Sequence, residues 1–246
     1  MIYSFDCVTS TNDVARDARF VHGDIVCAEF QTAGRGQRGH VWTAAAGENV
    51  MMTAVLTPTF LAVREQFMLS ETVALALTDT FDAFGIDTRI KWTNDIYAGD
   101  RKLTGVLIEQ NVTGGMISRS LAGIGINVNQ TRFDPSLPNP VSMAQLLGRP
   151  LDRSAVVAEF SKNLMFRYNC LESGDWQAIA DDYRTRMYRL GEMRPFRMAD
   201  GTIVDAAIEG VKPSGALILR HADGRRGEYM FGEVEFIVAG GCAFGK

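Results

Sequence analysis

Apolar and polar positions change rhythm several times along this chain, and each rhythm predicts an element. Residues 10–21 open on Ser10, Thr11, Asn12 and Asp13 and then alternate apolar and charged positions, the pattern of an N-capped helix. After the turn His22-Gly23-Asp24, the run IVCAEF (25–30) has strand composition, and NVMMTAVLT (49–57) predicts a second, buried strand ending before Pro58. Over 64–84, Phe67, Val73, Leu77, Phe81 and Phe84 recur at intervals of three to six, which fits one face of a long helix closed by Gly85. Short β-like runs then follow at 88–92, 96–98, 103–111 and 118–128 with polar turns between them. Such an order predicts an antiparallel meander rather than βαβ crossovers.

Residues 130–140 hold three prolines and few apolar positions, so a mobile loop is expected there, one that beside a ligand would act as a lid. A short helix over 142–147 ends at Gly148, and two longer helical patterns, 152–172 and 175–190, start on aspartates. From 191 to 237 only short alternating strands and turns remain: PFRM, TIVDAAIEGV, ALILR and EYMFGEVEFI. That texture fits a small β-barrel, so two units are expected, 1–190 and 191–246.

Composition narrows the partners. The net charge of -4 and pI near 5.5 argue against a general affinity for nucleic acid or anionic membrane. Any basic site must therefore be local, and a small anionic ligand suits it better than a polyanion. Cys7, Cys27, Cys170 and Cys242 are far apart with no CxxC, so no thiolate metal site is expected. The start MIYSFDCVTSTND has no signal-peptide form and no run reaches membrane-spanning length, so the expectation is a reduced, cytoplasmic protein.

Three stretches carry candidate chemistry. QTAGRGQRGHVW (31–42) follows directly on a strand; Gly34, Gly36 and Gly39 free the backbone, while Arg35 and Arg38 offer planar donor forks for phosphate or carboxylate. Its GxGxxG spacing is not a dinucleotide fingerprint, because a strand rather than a helix follows. A bare glycine turn would leave Arg35, Arg38 and Trp42 unexplained together. In KWTNDIYAGDRKLTGVLIE (91–109), Lys91 and Lys102 flank a hairpin bearing Asn94 and Asp95, groups able to offset phosphoryl charge or hold Mg²⁺. Alone, an exposed hairpin with solvated ends would explain it better. In AGIGINVN (122–129), Gly123 and Gly125 share one strand face, which admits either a flat ligand or a packed helix, with the Asn127 amide beside it. His22 and His221 read as structural or solvated, and Met51 and Met52 as core.

In their order and spacing, STN, GRGQRGHVW, KWTNDI, RKLTGVLIE and GIGINVN resemble the biotin protein ligases (biotin–acetyl-CoA-carboxylase ligases), over about residues 2–240. The resemblance implies an α+β fold of the class II synthetase/biotin-lipoate ligase type. A mixed, largely antiparallel sheet backed by helices would precede an SH3-like barrel over 191–237. It implies that biotin and ATP form biotinyl-5′-AMP and pyrophosphate, after which a lysine of a biotin carboxyl carrier domain attacks. Mg²⁺ would accompany ATP, although no protein metal-ligand set is visible. By the same resemblance Ser10, Thr11 and Gln31 contact the ureido ring, and backbone at Arg35, Gly105 and Gly123 closes the pocket. Trp42 packs on the intermediate, and Lys102 reaches the biotin carboxylate and the phosphate. Arg35, Arg38 and His40 share the screening of charge. Lys91, Asn94 and Asn127 face the adenylate, and Asp95 serves metal or the incoming lysine.

Two positions depart from the pattern. Gln37 stands where some members have an arginine that helps retain the adenylate, which shifts retention onto Arg35, Arg38 and His40. Thr93 replaces the usual proline of KWPND and is expected to loosen the hairpin turn. Because the motifs begin within ten residues of Met1, no counterpart of the DNA-binding winged helix of some relatives is expected, and no DNA partner. No membrane partner is expected, and a homodimer stays open. The competing readings are a lipoate or octanoate ligase or transferase of the same superfamily, which a longer and wholly apolar pocket would favour, and a non-catalytic ligand- or RNA-binding module.

Overall fold

A computed structural model describes residues 1–238 and, at Arg38, the backbone alone; Cys242 lies outside the described residues. The chain runs β1 (Ile2–Val8), α1 (Thr11–Ala15), β2 (Ile25–Gln31), β3 (Val50–Leu56), α2 (Phe67–Ala83), β4 (Arg89–Lys91), β5 (Asp95–Ala98), β6 (Arg101–Thr113) and β7 (Met116–Ile126). Three helices follow, α3 (Met143–Leu147), α4 (Arg153–Glu172) and α5 (Trp176–Thr185). Five strands come last: β8 (Met193–Met198), β9 (Ile203–Val211), β10 (Leu217–His221), β11 (Arg226–Tyr229) and β12 (Val234–Phe236). The first seven strands form one sheet in the order β1-β2-β3-β7-β6-β5-β4, parallel only between β1 and β2. The last five form an antiparallel sheet, β11-β10-β9-β8-β12. The fold is thus α+β, with a mixed, largely antiparallel sheet backed by helices.

The period of two in β7 sorts the faces. Ala122, Ile124 and Ile126 join the main core beside α2, α4 and α5. Leu121 instead joins a smaller cluster with Ala15, Phe20, Val26 and Val55 on the α1 side. Gly123, Gly125 and Asn127 continue that second face, and the cavity described below opens over them. The C-terminal sheet is not separately cored, because Phe196, Ile208, Leu217 and Phe236 belong to the same cluster as α2.

Several elements differ from the sequence expectation. Strand β1 has no counterpart in it; this is an edge strand whose positions are exposed or half-buried throughout, so it carries little apolar signal. The helix expected over 10–21 stops at Ala15. Asp17 Oδ1 accepts the Arg19 N–H at 2.9 Å, a local bond that competes with helix, and Arg119 Nη2 donates to the carbonyls of Ala15, Asp17 and Phe20. Helix α2 is buried nearly all round rather than on one face, since it packs on α4 and α5 as well as on β4 and β5. The helix expected over 175–190 ends at Thr185, after which Ile90 N–H donates to Arg186 O and Tyr188 N–H to Ile90 O, drawing the chain alongside β4. EYMFGEVEFI is two strands, broken by a turn in which Gly232 has φ 97° and Glu233 N–H donates to Met230 O. The loop at 130–140 is fastened at its end to β6, with Lys102 N–H donating to Asn139 O at 2.7 Å and Val141 N–H to Lys102 O at 3.0 Å.

Candidate active site

Glycine sets the floor of the site. Gly105 on β6 pairs with Gly125 on β7, and a Cβ at either would stand 2.9 Å and 2.2 Å from the Trp42 indole, respectively. No real Cβ tolerates such a distance, so these glycines form the notch in which Trp42 lies. One step along the same face, a Cβ on Gly123 would stand 2.4 Å from Asn12 Oδ1, so this glycine admits an amide. Over this floor lies a cavity of about 610 Å³.

One end of the cavity is a buried hydroxyl and amide cluster around the start of α1. Ser10, Thr11, Asn12 and Thr53 are all at most 4% exposed. Gln31 Oε1 accepts the Thr11 N–H at 2.7 Å and the Thr11 hydroxyl at 3.2 Å, while Thr53 Oγ1 stands 2.8 Å from Thr11 Oγ1 and 2.6 Å from Asn12 Oδ1. Asn12 Nδ2 donates to Glu109 Oε2. The Ser10 hydroxyl does not cap α1.

The glycine loop closes on itself. Gly36 N–H donates to His40 O and Trp42 N–H to Gly34 O around a single 3₁₀ turn, Gln37–Gly39, in which Gly39 takes φ 78°. No helix starts here, which agrees with rejecting a dinucleotide fingerprint. Arg35 is expected from the sequence to screen ligand charge, yet its guanidinium donates to both Asp13 oxygens at 2.9 Å and approaches Glu109 at 3.4 Å. That pairing holds the Asp13 carboxyl below its ordinary range, and in this structure it commits Arg35 to clipping the loop onto α1 and β6. Gln37 Nε2 donates to Asn94 Oδ1 at 2.8 Å and to Val106 O at 3.0 Å, so the residue standing in place of arginine ties the loop to the hairpin. His40 is exposed at the rim, and the Arg38 side chain lies outside the described residues.

In the hairpin, Lys102 Nζ donates to Asp95 Oδ2 at 2.6 Å. The Trp92–Thr93 peptide is cis, and Thr93 O accepts the Tyr183 hydroxyl. Asn127 is 5% exposed and spends an amide N–H on Val141 O at 3.2 Å, which leaves its Oδ1 to accept. Lys91 Nζ lies over the rings of Tyr97 and Phe236, and burial pulls its ammonium below the usual lysine range against the opposing charge of Asp95. Elsewhere, His22 accepts the Thr57 N–H and packs on Tyr168, a structural role.

Every candidate residue with a described side chain lines this one cavity. Asn12, which also lines it, was not anticipated although it lies in STN, nor were two residues behind the lining that hold it: Glu109, and Thr53, whose only signal was a polar position within an apolar strand. The rim formed by Arg197, Phe231, Glu235 and Phe236 of the C-terminal sheet left no signal at all, because it is built by contacts spanning more than a hundred residues. Among the described residues no group of three or more His, Cys, Asp or Glu is arranged to hold a metal, and no helix is long and apolar enough to cross a membrane.

The pattern of the Biotin/lipoate A/B protein ligase family matches residues 4–129. The chain is 34% identical over 209 residues to the biotin--[acetyl-CoA-carboxylase] ligase of Paracoccus denitrificans, covering 82% of this chain and 85% of that one. It is 30% identical over 238 residues to the bifunctional ligase/repressor BirA of Escherichia coli, covering 92% and 71%. The fold matches a biotin protein ligase from Aquifex aeolicus in complex with biotin and ATP at a TM-score of 0.81 and 21% identity, over 97% of this chain and 99% of that one. Since the matched stretch contains the loop, the hairpin and the glycine strand that build the cavity, the chain belongs to the biotin/lipoate A/B protein ligase family.

Proposed function

We propose that this chain condenses biotin with ATP to biotinyl-5′-AMP and transfers the biotinyl group to a lysine of a biotin carboxyl carrier domain, in the cytoplasm. The observation that carries the reading is the Lys102–Asp95 pair, 2.6 Å apart, in the same cavity as the Ser10–Thr11–Gln31 cluster. That cluster supplies hydroxyl and amide groups for a ureido ring, whereas an octanoyl or lipoyl chain would leave them facing apolar carbon at a large cost in affinity.

In the first step a biotin carboxylate oxygen bonds to the α-phosphorus while the bond to the bridging oxygen breaks and pyrophosphate leaves with the electron pair. Two anions must meet, and the Lys102 ammonium, oriented by Asp95, offsets their charge. Holding both reactants in one cavity removes the entropic cost of their encounter. In the second step a carrier lysine, as free amine, attacks the carbonyl carbon; AMP leaves and the amine sheds a proton, with Asp95 positioned to orient it. Trp42 and the glycine notch form the apolar wall, and Asn127 offers Oδ1 toward the adenine amino group. Mg²⁺ would come with the ATP phosphates, as it commonly needs only one or two protein carboxylates, and Asp95 fits that limited part. Residues 1–190 would form the catalytic unit and 191–246 its smaller companion.

The test is mass spectrometry of the protein mixed with ATP and biotin, alongside pyrophosphate release. Biotinyl-AMP is expected. Release with lipoate or octanoate but not with biotin would overturn the assignment in favour of the fatty-acid ligases.

A further inference from the structure

Lys91 is held in an unusual way. Its ammonium sits 5.3 Å from the Tyr97 ring centroid and 5.1 Å from that of Phe236, and among the described residues no carboxylate pairs with it. The two nearby acids are engaged elsewhere, Asp95 with Lys102 and Glu235 with Arg197. The rings are themselves fixed: Tyr97 packs on Tyr188 at 5.3 Å, Tyr188 stacks on Phe236 at 6.4 Å, and Phe196 meets Phe236 edge-on at 5.1 Å. Lys91 and Tyr97 come from the first sheet, whereas Phe236 comes from the second, and all three line the cavity.

A ring face and a carboxylate hold a cation with different consequences. A carboxylate neutralises the charge and repels an incoming phosphate; a ring attracts the cation through its quadrupole and adds no net charge. We infer that Phe236 is a positioning residue: with Tyr97 it forms an aromatic slot that keeps the Lys91 ammonium aimed into the cavity, with no carboxylate paired to it, for the polyphosphate of the nucleotide. The C-terminal sheet thereby completes the nucleotide end of the site. This inference rests on the nucleotide-dependent reading above. The same slot desolvates the lysine, consistent with its lowered pKa, with Asp95 and Glu235 favouring the charged form and Lys102 and Arg189 opposing it.

The experiment compares Phe236→Leu, which keeps apolar volume but removes the ring, with Phe236→Tyr, which keeps the ring. With five lysines in the chain, the Lys91 ε-carbon can be followed by NMR in ligand-free protein, its signal identified by loss in Lys91→Ala. Phe236→Leu is expected to lower the Lys91 midpoint by about half a unit to one unit, and to weaken a non-hydrolysable ATP analogue about three- to tenfold while leaving biotin affinity unchanged. Phe236→Tyr should match the unsubstituted protein in all three. If Phe236→Leu does not fold, Tyr97→Leu removes the other wall of the slot and is expected to act alike. An unmoved Lys91 midpoint, or equal losses for biotin and the analogue, would overturn the inference while leaving biotinyl-AMP formation standing. An unsubstituted protein that binds no ATP analogue would overturn both.

Discussion

At the scale of single residues, the site divides into groups that face ligand and groups that hold others. In the proposed reaction Lys102 is of the first kind, and because it and Asp95 are 33% and 24% exposed on their side chains, neither is a core residue whose loss would collapse the fold. Lys102→Ala is therefore expected to slow pyrophosphate release about a hundredfold or more with an unchanged melting temperature; near-normal turnover would remove it from the mechanism. Glu71 is a different case, a carboxyl on α2 that is 4% exposed, with Oε2 unbonded, and pushed by burial up to about 8 from 4.5. The native state keeps this proton where the unfolded chain has released it. Its contribution is thus fully present below pH 4.5 and is lost as pH rises towards 8, by roughly 4 to 5 kcal/mol across that window. Glu71→Gln should leave stability unchanged at low pH and raise it progressively above pH 5, which urea unfolding at several pH values would read; a constant difference would refute the buried-acid account. The residues that line the cavity were legible one by one, because glycine, lysine and amide in fixed order carry their own signal. Their pairings were not, since Arg35 with Glu109 and Gln37 with Asn94 join positions 74 and 57 residues apart.

At the scale of elements, the same limit of local pattern explains where the expected and observed boundaries part. The strands at 49–57 and 118–128 and the long helix were visible because their own density of apolar residues marks them as buried. Helix α1 was overdrawn because what ends it, Arg119, lies about a hundred residues away. The glycine loop is the element whose behaviour the structure sharpens most. It is anchored by Arg35 at one side of its turn and by Gln37 in the turn itself, and Trp42 fills the notch beneath. Gln37→Ala would remove two hydrogen bonds, together worth about 1 to 3 kcal/mol, and free the turn. The expected outcome is faster escape of biotinyl-AMP from the protein, seen as free adenylate on rapid filtration, with a melting temperature lowered by several degrees at most. If retention is unaffected, the Arg35 clip alone holds the loop.

At the scale of the whole molecule, a change of texture near residue 191 suggested a separate appendage, and the packing gives that appendage a different status. Phe196, Ile208, Leu217 and Leu219 share one core with α2, the Trp92 indole donates to Gly215 O at 2.9 Å, and the Gly191 N–H, in the connection from α5 to β8, donates to Ile208 O on β9 at 2.9 Å. Gly215 is the tightest point of this junction. It takes φ 88°, and a Cβ there would stand 2.7 Å from the Phe67 ring. Gly215→Ala therefore combines backbone strain with a clash against α2, a loss of about 2 to 4 kcal/mol. If the two sheets form one cooperative body, the substitution should lower a single unfolding transition, and signals from Trp92 in the hairpin and from a probe on β10 should move together. If the second sheet were independent, its transition alone would fall while the hairpin signal kept its midpoint. Coincident transitions would mean that the hairpin bearing Lys91 and Asp95 depends for its stability on residues beyond 191, so that the site cannot persist once the second sheet is lost.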